Sequence, residues 1–86
     1  MELQVREKGY GMKEKIIALI EEILMVPKGT VTETTMAQEL EEWDSLAQVM
    51  IVGELESKLG VKISLEEAME IKGVPDILER AGILQE

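Results

Sequence analysis

The chain has 86 residues and contains no cysteine, no histidine and no phenylalanine; Tyr10 and Trp43 are its only aromatic side chains. Without cysteine there is no disulfide and no thiolate, and without histidine there is no imidazole base. Lacking both, the chain cannot build a zinc finger. A catalytic triad that needs either residue is excluded too, and no glycine-rich phosphate loop is present, so an enzyme is not expected. The scarcity of rings leaves Leu, Ile, Val and Met to fill the interior, and these pack more adaptably than aromatic side chains do. No apolar run approaches the length of a membrane span. Residues 1–11 mix charged and polar side chains in a way unlike a secretion signal, so a cytoplasmic location without membrane insertion is expected.

Positive charge is also scarce. Nine basic residues face eighteen acidic ones, for a formal net charge of −9. Residues 1–15 hold Arg6, Lys8, Lys13 and Lys15 against three glutamates, so nearly all the excess acid lies downstream. Between Lys28 and Lys58 there is no base at all, while Glu33, Glu39, Glu41, Glu42, Asp44, Glu54 and Glu56 fall in that stretch. Such a surface repels nucleic acid and anionic lipid and attracts a basic protein partner. Solubility alone also accounts for a solvated acidic face, so charge by itself does not decide the function.

What is present is material for one small helical domain. Apolar residues make up 45% of the chain, too many for a disordered one. Residues 1–11 read as a flexible N-terminal leader and residues 12–84 as a single domain. Ile16, Ile17, Ile20, Ile23 and Leu24 recur at helical spacing and predict a helix from Met12 to Met25, stopped by Val26-Pro27. Residues 27–43 predict a long connection, with Val31, Met36 and Leu40 dipping inward. A loop of that length in so small a domain is often functional.

A second helix opens at Asp44, a strong N-cap, and closes at Gly60. Leu46, Val49, Val52, Leu55 and Leu59 form its expected buried stripe. Ser64-Leu65-Glu66-Glu67 has the pattern of a capping box and starts a short helix through about Ile71. Pro75 suits the first turn of a last helix that ends at Gly82. No segment alternates like a strand. The expected fold class is all-α, a four-helix bundle of three longer helices and one short one with a long loop between helices one and two.

Asp44-Ser45-Leu46 stands where the acidic loop meets the second helix. The three residues alone are explained by capping. Their surroundings add more. From Asp44 onward the chain resembles the acyl carrier protein family, whose modified serine lies in the same D-S-L at the start of its second helix. Leu46, Val49, Val52, Leu55, Leu59 and Ile63 keep that family's register, as do Glu66-Glu67-Ala68, Ile71 and Val74. The likeness covers residues 44–81 well and residues 12–43 in pattern only.

The resemblance implies that Ser45 carries a covalent 4′-phosphopantetheine arm, with Asp44 and Leu46 beside it at the cofactor site. It implies a phosphopantetheinyl transferase that installs the arm from coenzyme A, with Asp44 also helping to place the transferase's magnesium. It further implies acyl-loading and acyl-using enzymes with basic docking patches. The chain itself would be a monomer that binds no metal or nucleic acid and presents acyl groups as thioesters. Family members shelter acyl chains between their helices, and a Leu/Ile/Val/Met interior suits that.

The sequence departs from the fatty-acid-synthesis carriers on the face where enzymes dock. Ala47 and Met50 stand where those carriers place acids. Glu56 keeps an acid, Ser57 lacks one, and Gly53 replaces a bulkier apolar residue. Trp43 precedes the Asp-Ser pair in place of a small residue. Trp43, Ala47, Met50, Gly53, Glu54 and Glu56 are therefore the expected partner surface, with Met50 a candidate hydrophobic contact. A W-D-S-L start is similar to stand-alone carriers of specialised lipid, polysaccharide-modifying or natural-product pathways. A D-alanyl or peptidyl carrier, a housekeeping fatty-acid carrier and an unmodified interaction module remain open alternatives.

Overall fold

The computed structural model of the protein describes residues 11–83. It holds α1 (Met12–Leu24), a 3-10 turn (Ala37–Glu39), α2 (Ser45–Leu59), α3 (Leu65–Ala68) and α4 (Val74–Arg80), with no strand among the described residues. This is the expected four-helix, all-α arrangement. The leader expected over 1–11 lies outside the described residues except for Gly11, which is the N-cap of α1; residue 84 also lies outside them.

The core forms where α1, α2 and α4 meet. Ile16 and Ile20 of α1, Ile51 and Leu55 of α2, and Val74, Ile77 and Leu78 of α4 are its fully buried side chains. Burying an aliphatic side chain of this size contributes about 1.5–3 kcal/mol, so these seven and their neighbours dominate the favourable side of folding. Among the described residues Trp43 is the one aromatic ring, and it joins the cluster.

Most helix ends follow local chemistry. Asp44 stands in extended geometry, and its Oδ1 accepts the Ala47 N–H at 2.9 Å to open α2. Gly60 closes α2 at φ 72°, in the left-handed region that favours glycine. At α3 the capping box is complete: Glu67 N–H donates to Ser64 Oγ at 3.1 Å, and Ser64 N–H donates to Glu67 Oε1 at 3.2 Å. α3 stops at Ala68 rather than near Ile71, because Glu70 and Ile71 bond back only three residues, to Glu67 and Ala68. α1 ends one residue early, since Met25 adopts φ 60° and turns the chain toward Val26-Pro27.

The long connection between α1 and α2 is fastened at three places. Lys13 Nζ pairs with Glu33 Oε1 at 2.7 Å. Glu21, a buried carboxylate on α1, accepts the Gly29 N–H at 2.7 Å and the Val31 N–H at 3.0 Å through Oε2. Residues 35–37 pair with residues 72–74: Val74 N–H donates to Thr35 O at 2.9 Å and Ala37 N–H donates to Lys72 O at 2.8 Å. Gly73 permits that last pairing, because a Cβ there would lie 2.7 Å from both Met36 Cα and Thr35 O. Val31 is buried, as its sequence context predicts, whereas Met36 and Leu40 are only half-buried.

The buried face of α2 differs from the expected one. Ala47, Ile51 and Leu55, spaced four apart, face the core. Leu46 is 68% exposed and Val49 56%, while Val52 and Leu59 are half-buried. The helix is apolar on most sides, with an unbroken run from Val49 to Val52. Periodicity therefore does not single out one face, and contact with α1 chooses it instead.

Candidate functional site

Ser45 is the first residue of α2, and its position follows from the residue before it. With the Asp44 carboxylate spent on the Ala47 N–H, the helix starts sharply and leaves the Ser45 side chain exposed. α2 is 15 residues long, so the serine lies at the positive end of a substantial helix. A negative group attached there would be favoured by the unpaired N–H groups of the first turn.

Beside Ser45 a groove of about 670 Å³ opens between the start of α2 and the α3 segment. Ala37, Trp43, Asp44 and Ser45 line one side of it. Gln48 and Val49 come from α2, and Leu65, Ala68, Met69 and Ile71 from α3 and the turn after it. Leu65 and Met69 are strongly exposed, as are Leu46 and Val49. The serine hydroxyl thus sits on the rim of an apolar cleft open to solvent. That suits a flexible arm with a partly apolar load better than it suits hydrolytic chemistry.

Gln48 adds a polar group to that cleft beyond Asp44 and Ser45. Trp43 Nε1–H donates to Gln48 Oε1 at 2.6 Å, and Gln48 Nε2 donates to Ala68 O at 2.6 Å and Ile71 O at 3.1 Å. Sequence reasoning passed over Gln48, and over Leu65 and Met69 as surface groups. The only local signal for Gln48 was an amide interrupting an apolar helix close after a lone tryptophan.

The expected site residues divide as follows. Asp44 and Ser45 are exposed and adjoin the groove. Leu46 is exposed rather than the start of the core stripe. Met50 is 46% exposed, and Gly53 and Glu56 are exposed; Glu54 is half-buried with Lys58 Nζ 3.4 Å from its Oε1. Two positions need correction. Ala47 is 7% exposed and Trp43 is 6% exposed, so neither offers the outward contact expected of it. Ala47 belongs to the 47/51/55 face against the core, and the Trp43 ring is drawn inward by its bond to Gln48. Among the described residues no group of three or more acids is placed to hold a metal ion, and no helix is long and apolar enough to cross a membrane.

Residues 14–81 match the family described as the phosphopantetheine attachment site. An acyl carrier protein of Thermosynechococcus vestitus (strain NIES-2133 / IAM M-273 / BP-1) is 39% identical over 67 residues, which cover 77% of this chain and 82% of that protein. No solved structure matches the chain significantly. The family's prosthetic group is a covalently attached 4′-phosphopantetheine, and an exposed helix-start hydroxyl beside an apolar groove fits it. The chain belongs to the phosphopantetheine-bearing acyl carrier protein family.

Proposed function

We propose that Ser45 is the attachment residue and that the chain is a non-catalytic carrier for a specialised acyl-transfer pathway. The observation that carries this reading is the exposed Ser45 hydroxyl at the first position of α2, capped by Asp44 and set on the rim of the groove. On modification, a bond forms between Ser45 Oγ and the β-phosphorus of coenzyme A. The pyrophosphate linkage breaks, adenosine 3′,5′-bisphosphate leaves, and the hydroxyl proton passes to a base of the transferase. The helix N-terminus would hold the resulting phosphodiester, its backbone N–H groups favouring the negative charge. Asp44 fixes the start of that helix by accepting the Ala47 N–H. When attached, the arm supplies a terminal thiol on which acyl groups travel as thioesters.

The specialised role is argued from the outward face of α2. Near Ser45 that face presents Leu46, Val49 and Met50, and the acids Glu41 and Glu42 come before it while Glu54 and Glu56 come after. A partner that fits it has an apolar centre and a basic rim. Housekeeping fatty-acid enzymes read a more acidic face. The holo protein should therefore load slowly with a housekeeping malonyl transferase beside a fatty-acid carrier. Met50→Glu should recover part of that rate at low salt and less at high salt. Equal loading of the parent and the fatty-acid carrier would make the housekeeping role the better one. A cytoplasmic, monomeric carrier is the setting this reading assumes. D-alanyl or peptidyl cargo is distinguished by which adenylating or acyl-transferring enzyme loads the arm.

A further inference from the structure

Gln48 lines the groove beside Ser45, and its side-chain amide joins the elements on either side of it. Trp43 belongs to the loop before α2, Gln48 to α2, and Ala68 and Ile71 to the end of α3 and the turn after it. The orientation of the amide is fixed by its partners. An indole N–H can only donate, so it faces Oε1, and two main-chain carbonyls can only accept, so they face Nε2. Both amide hydrogens are used. One turn further along α2 lies Ile51, fully buried in the core. An apolar chain that entered the interior between α2 and the α3 segment beside Gln48 would part the amide from the carbonyls of Ala68 and Ile71. It gives them nothing in return, and these half-buried polar groups lose partners that an apolar chain does not replace.

We infer that Gln48 is a specificity-determining gate: its three hydrogen bonds close the passage from the groove into the core, so an apolar chain tethered at Ser45 stays in the outer groove. There it meets Val49, Leu65 and Met69 and remains in contact with water. Short acyl groups lose nothing by this. Long ones gain no shelter from the interior, so the carrier favours short cargo. The inference rests on Ser45 as the attachment point, but its physical content, a closed route from Ser45 to the core, can be tested without the natural arm.

The absence of cysteine supplies the means. Ser45→Cys has one thiol, which can be alkylated with N-ethylmaleimide or with a long-chain N-alkylmaleimide. In this background the two adducts should give the same amide NMR shifts at Ile51, Leu55 and Leu78 and melt at the same temperature. Adding Gln48→Met, which keeps the length of the side chain and removes its hydrogen bonds, should open the route. The long-chain adduct should then move those three amides and melt several degrees above the ethyl adduct. Gln48→Ala serves as a second opening variant with the same expectation. A mere brace would lower the melting temperature of both adducts equally. The inference is overturned if the long chain already moves the core amides when Gln48 is intact, or if neither Gln48 variant separates the two adducts. Because maleimide needs no transferase, a wrong attachment site would show instead as failure of coenzyme A to modify Ser45 in the parent.

Discussion

Trp43 and Gln48 are five residues apart, and the indole Nε1–H of the first donates to the amide oxygen of the second across 2.6 Å. The bond spans the Asp44-Ser45 pair, so the loop that delivers the serine and the helix that presents it are fixed to each other. Trp43→Phe keeps most of the buried ring and removes the donor, leaving Gln48 Oε1 unpaired. The expected loss is about 1–2 kcal/mol, read from denaturant midpoints. A loss below the error of the measurement would mean that the bond does not hold this junction.

Glu21 shows that an acid can serve the fold from inside. Its carboxylate is buried and receives two loop N–H groups, from Gly29 and Val31. Glu21→Leu strands both donors and should cost about 3 kcal/mol, while Glu21→Gln keeps an acceptor and should cost about 1 kcal/mol. Equal, small losses for both variants in urea titrations would show that water replaces the carboxylate freely.

Met25 is strained and has little to lose. It is the one described non-glycine residue with positive φ, and it is 87% exposed. Left-handed geometry costs a side-chain-bearing residue about 1–2 kcal/mol, part of which glycine gives back as lost chain entropy. Met25→Gly should therefore raise stability by about 0.5–1 kcal/mol. A fall in melting temperature would contradict this.

The acids between Lys28 and Lys58 should act through mutual repulsion. No described cluster is built to hold a metal ion, so magnesium should raise the melting temperature by a few degrees and sodium chloride of matched ionic strength should do the same. A flat response to both salts would show that repulsion is unimportant. A response to magnesium alone would point to specific binding.

The parts of this structure that were legible in the sequence are those decided within a few residues. Asp44 before an apolar helix, Gly60 after it and Ser64 three residues ahead of Glu67 each carry their own hydrogen-bonding logic, and each behaves accordingly. The exposed serine follows directly from the cap. Features decided at a distance were not legible. Gln48 finds its carbonyl partners 20 and 23 residues away, and Glu21 looks like one of a pair of surface acids until the loop folds over it. Ala47 was expected to face outward because the family resemblance sets it where related carriers place acids, whereas here it packs against the core with Ile51 and Leu55. That error has a consequence for design, since an acid at position 47 would enter the core and not the docking face.

The most direct test of the central claim is the intact mass of the full chain after incubation with coenzyme A, magnesium and a phosphopantetheinyl transferase, for the parent and for Ser45→Ala. The parent should gain one phosphopantetheine per chain and, with it, the only titratable thiol of a cysteine-free protein. Ser45→Ala should gain nothing while keeping its helical circular dichroism, because Asp44 still caps α2. An unmodified parent, or a modified Ser45→Ala, would contradict the assignment of Ser45 as the attachment residue.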